Sequence, residues 1–386
     1  MKKIWYIGFY DGNVCSSHRR SEDNIAGTVY MKGLINSLKR LNYHVTVVSV
    51  QITSTPGIYR QEHIVYDDRL EYYFLPYISI KMKDRVVGGR TIFWALEFFL
   101  RTKVGENDIV ISYHSLAYKH MLSRLHKQKR FIWIPEVNEI YCLSRQKYTD
   151  PSRLKAEVEM FKDGDGYIFA SDALAERYAN KKPFAVLYGN YQVEIDKKYV
   201  SNESINITYT GIINEDRGVF RIIDAMTLLP ANYNLYILGF GDKENMAKLE
   251  KVIRKINNDL GCERVFFCGT KVGKEYSEFC ADKHIGVSLI SQEQDIFNNA
   301  FPGKILSYMS HSLYVLSSSC DSIVNSKLGE YLYFCDNNPQ SIADAIKNIP
   351  VDELCNSGEV LRNLEQKFES DFMTMMLALR KEEHEN

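Results

Sequence analysis

The feature that most constrains the fold is an alternation of short apolar runs with helical patterns, which occurs in each half of the chain. In the first half it predicts strands at Ile4–Gly8, Val45–Val50, Ile109–Ser112, Phe131–Ile134, Tyr167–Phe169 and Ala185–Leu187. It restarts with strands predicted at Ile205–Thr210, Leu235–Leu238, Val265–Cys268, Gly286–Ile290 and Tyr314–Ser317. Strands separated by helices favour an α/β fold with parallel sheets covered on both faces.

The chain has 386 residues, which is more than one ordinary hydrophobic core holds. A polar stretch near the middle interrupts the alternation and predicts a linker. We therefore predict an N-terminal domain over residues 1–190, a linker over 191–204 and a C-terminal domain over 205–360. Residues 361–386 form an amphipathic pattern that predicts a final helix, and packing of this helix back toward the N-terminal domain is left open.

Composition excludes several classes of protein. Lys and Arg number 48 against 49 Asp and Glu, so no net field favours nucleic acid, and we predict none as a partner. The eight cysteines form no C-x-x-C pair, which favours buried thiols in a reducing cytoplasm over disulfides or a metal site. The apolar run at the N-terminus is too short for a secretory signal, and no run spans a bilayer. We predict a cytoplasmic protein and leave open attachment to the inner face of the membrane.

Turns that follow predicted strands of the second half are candidate anion sites. The turn Thr210–Gly218 follows one strand, opens a helix and carries Arg217, whose guanidinium can form a fork on a phosphate. Its backbone includes Gly211, and Gly239 and Gly241 after the next strand would let a ligand approach the backbone closely. The alternatives are a plain turn with a solvated Arg217 and a tight turn at the two later glycines.

The segment Phe301–Met309 is the most informative. Pro302 and Gly303 are typical of a helix start that offers N–H groups to an anion. Lys304 then lies in the first turn, where the helix dipole disfavours a cation unless an anion offsets it. The alternative is an exposed lysine that costs a few tenths of a kcal/mol.

The runs YTGIINEDRG, LGFGD, FCGTK and FPGKILSYMS, in this order, resemble the donor-binding domain of GT-B glycosyltransferases, closest to family GT4. The resemblance covers Ile205–Ser319 well and the N-terminal domain more loosely. It implies two Rossmann-like domains that face each other across a cleft. It also implies a hexosyltransferase that retains the anomeric configuration and uses a UDP- or GDP-linked sugar, with no cofactor and no metal.

The resemblance also assigns residues of the donor site. Arg217, Lys304 and the backbone of Gly303 match the diphosphate contacts, and Thr270 to Val272 match the segment that packs against the base. Two family glutamates, which hold the donor sugar and the ribose, are replaced here by Asn299 and Ser307. Both side chains still hydrogen-bond but carry no charge, and Glu293 or Asp295 are the candidate substitutes.

In the N-terminal domain the resemblance implies the acceptor site. Gly12 and Gly27 are expected near the donor diphosphate, and His114 is expected at the cleft rim beside the reaction centre. Glu136 and Glu139 follow a predicted strand and are candidates for contact with acceptor or sugar. A structural His114, and solvated or helix-capping glutamates, are the alternatives.

Basic and aromatic residues are mixed between Lys81 and Lys103. This pattern is typical of a peripheral membrane contact for a lipid-linked acceptor, and also of an amphipathic helix packed on the sheet. The predicted function is transfer of a sugar to a glycan or lipid-linked acceptor in surface polysaccharide or glycoconjugate synthesis. A catalytically silent GT-B subunit and a nucleotide-sugar epimerase remain alternatives.

Overall fold

The computed structural model describes residues 2–10, 12–17, 25–53, 55–82, 85–87, 90–115, 117–141, 151–196, 203–290 and 301–385. The chain forms two compact units, of which the first comprises Met1–Asn190 with Glu365–Asn386 and the second Tyr191–Leu364. The segment that follows Asn190 is attached to the second unit, because the backbone N–H groups of Glu194 and Ile195 both donate to the Ser310 carbonyl.

The first unit contains eleven strands among its described residues. They are β1 (Lys2–Gly8), β2 (Tyr43–Ser49), β3 (Gly57–Tyr59), β4 (Glu62–Asp67), β5 (Leu70–Phe74), β6 (Tyr77–Met82), β7 (Arg85–Val87), β8 (Ile109–Ser112), β9 (Ile132–Val137), β10 (Tyr167–Phe169) and β11 (Phe184–Val186). The described helices are α1 (Ile25–Arg40), α2 (Thr91–Lys103), α3 (Lys119–Lys129), α4 (Pro151–Phe161) and α5 (Asp172–Tyr178).

The main sheet of the first unit has the strand order β11-β10-β9-β8-β1-β2-β5-β4. Its strands are parallel except β4, which pairs antiparallel with β5. The core includes Trp5, Ile7, Val110, Leu96 and Trp133, all at most 5% exposed. The chain direction of the crossovers reverses between β1 and β8, and ligands of open α/β sheets bind at such a point.

A small antiparallel sheet of order β3-β6-β7 lies outside this pattern. The sequence pattern predicts no strand between Val50 and Ile109, but five lie there among the described residues. The reason is physical: these strands are short, and β4 alternates half-buried and exposed residues without a continuous apolar run. Such strands depend on pairing with their neighbours in the sheet more than on their own composition.

The second unit repeats the parallel arrangement. Its described strands are β12 (Ile205–Ile212), β13 (Tyr233–Phe240), β14 (Val265–Phe267), β15 (Ile285–Ser288), β16 (Tyr314–Ser318) and β17 (Tyr333–Cys335), in the order β14-β13-β12-β15-β16-β17. The described helices are α6 (Val219–Ala225), α7 (Lys243–Leu260), α8 (Gly273–Cys280), α9 (Gly303–Met309), α10 (Asp321–Val324), α11 (Pro339–Lys347) and α12 (Ser357–Glu385).

All strand pairs of the second sheet are parallel, and the order is that of a Rossmann-like domain with β12 at the centre. Ile207, Tyr209, Leu235, Ile237 and Val287 are fully buried in its core. Such runs are apolar because helices cover both faces of a parallel sheet. The predicted α/β class with parallel sheets is confirmed.

The last helix, α12, begins in the second unit, and its residues from Glu365 belong to the first. Phe372 is fully buried, and its ring packs edge-on against Tyr43 with 6.0 Å between centroids. Arg40, at the end of α1, forms ion pairs with Glu365 and Glu369 on the same helix. None of the helices in the described part of the chain is long and apolar enough to cross a membrane.

One contact fixes α9 on the second sheet. The ring of Tyr308 lies against Gly286 of β15, so closely that a Cβ at Gly286 would stand 2.2 Å from the ring. The Tyr308 hydroxyl accepts a hydrogen bond of 2.8 Å from the backbone N–H of Thr210 and lies 3.2 Å from the Val287 carbonyl, to which it donates. Tyr308 therefore joins α9 to the ends of both β12 and β15.

We expect Gly286→Ala to lower the free energy of unfolding by about 1–3 kcal/mol, because the added methyl group overlaps the Tyr308 ring. Gly303→Ala is the control, since a Cβ there meets nothing within 4 Å. The control should change stability by less than about 1 kcal/mol. Thermal and urea denaturation measure both variants, and equal stability of the two would contradict the packing described here.

Candidate functional site

The ammonium group of Lys304 lies at the carboxyl end of the central strand β12. Lys304 precedes Tyr308 by four residues, so both side chains lie on the same side of α9. Its Nζ lies 4.2 Å from the centroid of the Tyr209 ring. A Cβ at Gly211 would come within 2.6 Å of both Cε and Nζ, and Gly211 has a φ of +140°. Glycine at this position therefore leaves the space that the lysine fills.

The charge of Lys304 is poorly compensated within the described residues. Its Nζ is buried and has no hydrogen-bond partner there. Burial, followed by the charge of Arg217, lowers the pKa of Lys304 to about 7. A buried cation beside a second cation is unfavourable, and an anion bound between them would remove that cost. The arrangement is suited to a phosphate or a similar anion.

Local backbone structure sets the position of Arg217. It ends a short 3-10 helix, Glu215–Arg217, whose first N–H groups are capped by Asn214. The Asn214 carbonyl oxygen Oδ1 accepts from the Arg217 N–H at 3.0 Å. Gly218 then takes a φ of +72° and packs against Leu289, where a Cβ would lie 2.5 Å from the Leu289 Cβ. These contacts hold Arg217 half-buried, near Lys304.

Gly239 and Gly241 are required by the packing of the strands themselves. A Cβ on Gly239 would lie 1.8 Å from the carbonyl oxygen of Gly211, and one on Gly241 would lie 2.7 Å from that of Ile213. Close backbone approach between β12 and β13 thus explains both glycines. Their contact with a donor stays a prediction.

Other predicted donor residues follow neighbouring strands of this sheet. Thr270 and Val272 are exposed after β14, and the loop there is tied to β13 because Gly269 accepts from the Gly239 N–H at 2.8 Å. The Ser307 hydroxyl is 3.1 Å from the Tyr276 hydroxyl and donates to it. Gly303 is exposed at the start of α9.

Asn299, together with its candidate substitutes Glu293 and Asp295, lies outside the described residues. The sugar end of the predicted donor site is therefore represented among the described residues by Ser307 alone. The phosphate end has the fuller set, because Arg217, Lys304 and Gly303 are all described.

In the first unit, one of the two predicted glycines has a packing role. Gly12 has a φ of +58°, and a Cβ there would lie 2.5 Å from the Tyr72 hydroxyl. Gly27 is buried in the first turn of α1. Contact of either glycine with a diphosphate stays a prediction.

His114, which the sequence predicts at a cleft rim, is buried. The imidazole lies 4.8 Å from the Tyr141 ring, and its Nε2 is 3.5 Å from Glu157 Oε1, without hydrogen-bond alignment. Burial lowers the pKa of His114 to about 3, so the ring is neutral near pH 7. A neutral imidazole can accept or donate a proton but adds no positive charge to the site.

Glu136 of β9 is also buried, so the solvated and helix-capping alternatives are wrong. Burial raises the pKa of Glu136 to about 8, and the nearby Tyr6 hydroxyl partly offsets this without forming an aligned hydrogen bond. The carboxyl is therefore largely protonated at pH 7. Glu139 lies just beyond β9 and is half-buried.

Sequence reasoning missed the side chains that surround these groups, namely Tyr6, Glu157, Tyr276 and Tyr308. Tyr308 had a usable signal, since it follows Lys304 by one helical turn. Glu157 had none, because it reaches His114 from α4, forty-three residues along the chain. Among the described residues, no group of three or more His, Cys, Asp or Glu side chains is placed to hold a metal ion.

Comparison with known proteins identifies the class of this fold. Residues 204–351 match the sequence model of the family Glycosyl transferases group 1. No curated protein matches the chain. Among solved structures, sucrose-phosphate synthase from Thermosynechococcus elongatus superposes with a TM-score of 0.64 at 16% identity, over 100% of both chains.

Two further structures have the same architecture. One, described as trehalose-6-phosphate from E. coli bound with UDP-2-fluoro glucose, gives a TM-score of 0.65 at 9% identity, over 97% of this chain and 98% of that one. The other is the UDP-forming α,α-trehalose-phosphate synthase from Burkholderia vietnamiensis, with 0.62 at 11% identity over 99% of each chain. At such identities the likeness establishes the fold alone.

The fold is therefore GT-B, with two Rossmann-like domains, as the resemblance implied. Residues 204–351, which lie in the second unit, match the family Glycosyl transferases group 1, in agreement with the resemblance found in the sequence.

The buried carboxyl of Glu136 predicts a specific pH dependence of stability. In the unfolded state the carboxyl loses its proton near pH 4.5, whereas in the folded state it keeps the proton up to about pH 8. The free energy of unfolding therefore falls as pH rises between these two values. Glu136→Gln removes this effect. We expect it to stabilise the protein by about 3–4 kcal/mol more at pH 8 than at pH 5.

Thermal unfolding at several pH values measures the difference, with the exposed Glu106→Gln as the control. The control should show no pH-dependent gain. A Glu136→Gln profile parallel to the wild-type profile would show that the carboxyl ionises normally.

Proposed function

We propose that this glycosyltransferase moves a hexose from a UDP- or GDP-linked sugar to a glycan or lipid-linked acceptor, with the diphosphate bound at Lys304. The observation that carries the proposal is the buried Lys304 ammonium, which has no hydrogen-bond partner among the described residues and lies near Arg217. A diphosphate supplies the oxygen atoms and the negative charge that this pair lacks.

The same pair has a role in the transfer step. When the bond between the sugar and the diphosphate breaks, negative charge grows on the departing phosphate oxygen. Lys304 and Arg217 would stabilise that charge by electrostatic interaction in a buried site, where such interactions are stronger than in water. The backbone N–H of Gly303 would add a hydrogen bond to the same group. Catalysis through the chain's own residues is thus mainly electrostatic.

Residues that follow the neighbouring strands complete the proposed donor-binding site. Val272 is 65% exposed, and we assign this apolar surface and Thr270 to contact with the base. Ser307 and Asn299 would hold ribose and sugar hydroxyls. A UDP-linked donor is supported by the structural neighbours described as UDP-forming or as bound with UDP-2-fluoro glucose.

We assign the acceptor to the first unit, with Glu139 as the contact and with neutral His114 and protonated Glu136 as buried supports. Retention at the anomeric carbon, and a role in surface polysaccharide or glycoconjugate synthesis, follow from the resemblance to family GT4. These assignments complete the proposal on the acceptor side.

Incubation with a panel of UDP- and GDP-sugars and oligosaccharide or lipid-linked acceptors tests the activity, with nuclear magnetic resonance to follow donor and product. We expect a glycosylated product and release of UDP or GDP. Nucleotide binding without turnover of any donor would favour the catalytically silent subunit. Accumulation of an epimerised donor without a glycosylated product would favour the epimerase.

Because the pKa of Lys304 is lowered, we expect the protein to take up a proton when the donor binds. Its pKa in the free protein is about 7, and a bound diphosphate raises it. At pH 8 the donor should therefore bind together with a proton, and affinity should fall as pH rises above about 7, by up to tenfold per pH unit. Calorimetry in buffers of different ionisation enthalpy measures the uptake. An intact UDP-sugar is the right probe, because its diphosphate has no group that titrates near pH 7.

Lys304→Gln should abolish the uptake and weaken donor binding by about 10- to 100-fold, the value of a charge-assisted hydrogen bond. Arg217→Lys keeps the charge but loses the fork, so it should weaken binding less than Arg217→Ala. Lys251→Gln, an exposed lysine of α7, is the matched control. If Lys304→Gln leaves both donor affinity and proton uptake unchanged, the diphosphate does not bind at Lys304.

A further inference from the structure

Helix α2 of the first unit has a second apolar stripe that faces solvent. Its buried side consists of Ile92, Leu96, Phe99 and Leu100. On the opposite side, Trp94 is 76% exposed and Phe98 is 70% exposed, four residues apart and therefore adjacent on the helix. Two large aromatic side chains with this exposure have no role in packing the core, so their position calls for a binding partner.

The small sheet formed by β3, β6 and β7 adds three exposed isoleucines. Ile58 of β3 and Ile78 of β6 are direct cross-strand neighbours, and Ile80 follows two residues later on the same face. They are 77%, 44% and 53% exposed. The opposite face is buried, where the rings of Tyr59 and Tyr77 stack at 4.4 Å. The sheet thus turns its aromatic face inward and its isoleucines outward.

A hydrogen bond connects these two exposed features. The backbone N–H of Ile78 donates to Thr91 Oγ1 at 3.0 Å. Thr91 begins α2 and precedes Trp94 by three residues, so it lies on the same side of the helix. We call the set Ile58, Ile78, Ile80, Trp94 and Phe98 the α2–β6 surface.

The region around the α2–β6 surface is basic, although the whole chain has a net charge of −1. Residues 90–130, which include α2 and α3, contain eight Lys or Arg residues and three Asp or Glu residues. Of the three acids, Glu97 pairs with both Arg101 and Arg124, and Asp108 accepts from the Trp5 indole and the Gly105 N–H. Arg90 and Lys103 are exposed at the two ends of α2.

We propose that the α2–β6 surface docks this enzyme on an anionic lipid membrane. Trp94, Phe98 and the isoleucines would enter the boundary between headgroups and acyl chains, and the cations of α2 and α3 would contact anionic headgroups. Aromatic and aliphatic side chains combined with a local excess of cations are the features that bind such interfaces. An apolar protein partner would account for the exposed rings but not for the local excess of cations.

Flotation with lipid vesicles tests the proposal, using the full chain and vesicles of phosphatidylcholine with or without phosphatidylglycerol. The wild-type protein should float with the anionic vesicles, and less with neutral vesicles or at high salt. Blue-shifted tryptophan fluorescence on addition of anionic vesicles gives a second readout. The inference does not depend on sugar transfer, since neither measurement uses a donor.

Two variants separate the apolar and charged contributions. Trp94→Ala with Phe98→Ala should weaken vesicle binding at least about tenfold. Arg90→Gln with Lys103→Gln should weaken it about fivefold for each cation removed, and only on anionic vesicles. Leu354→Ala with Leu377→Ala is the matched control, because these leucines are 66% and 59% exposed elsewhere on the chain. All of the substituted side chains are largely exposed, so the variants should melt within a few degrees of the wild type.

No flotation of the wild-type protein with anionic vesicles would overturn the proposal. So would equal flotation of the Trp94 and Phe98 variant and the wild type. Sedimentation of the lipid-free protein tests whether a second copy of the chain occupies this surface instead. If the same variant converts a dimer to a monomer while vesicle binding is unchanged, the surface serves self-association instead.

Discussion

The second unit depends on how Tyr308 holds helix α9 against the parallel sheet. Its ring occupies the space that Gly286 leaves on β15, and its hydroxyl bonds to the backbone at the ends of β12 and β15. One side chain thereby fixes the distance between a helix and two strands. Every donor residue assigned to α9 takes its position from this contact, because Gly303, Lys304 and Ser307 share the same rigid helix.

The charge at the site follows from that geometry. With α9 fixed, Lys304 points at the aromatic ring of Tyr209 and not at an acidic partner among the described residues. A folded protein seldom leaves a buried ammonium uncompensated, because doing so costs stability. Here the cost is offset only in part by the aromatic ring. The uncompensated charge of Lys304 would favour the binding of a strongly charged anion such as a diphosphate.

The sequence predicts those parts of the fold in which local pattern and tertiary environment agree. The central strands of both sheets are continuous apolar runs because helices cover both faces, and these strands were predicted. Strands β3 to β7 were not predicted, since they are short and β4 has no continuous apolar run, so their stability comes from pairing with neighbouring strands. Lys304 was recognised because a cation in a first helical turn conflicts with the dipole. The burial of His114 beside Glu157 could not be predicted, because no local pattern records a contact over that separation.

The closeness of Gly211 and Lys304 has a consequence for how this enzyme can evolve. No side chain fits at position 211 while the lysine amine occupies its present place. Any other residue there would displace the amine from its present place and would also have to adopt a backbone conformation that favours glycine. The two positions should therefore change together among relatives, although they are distant in the sequence.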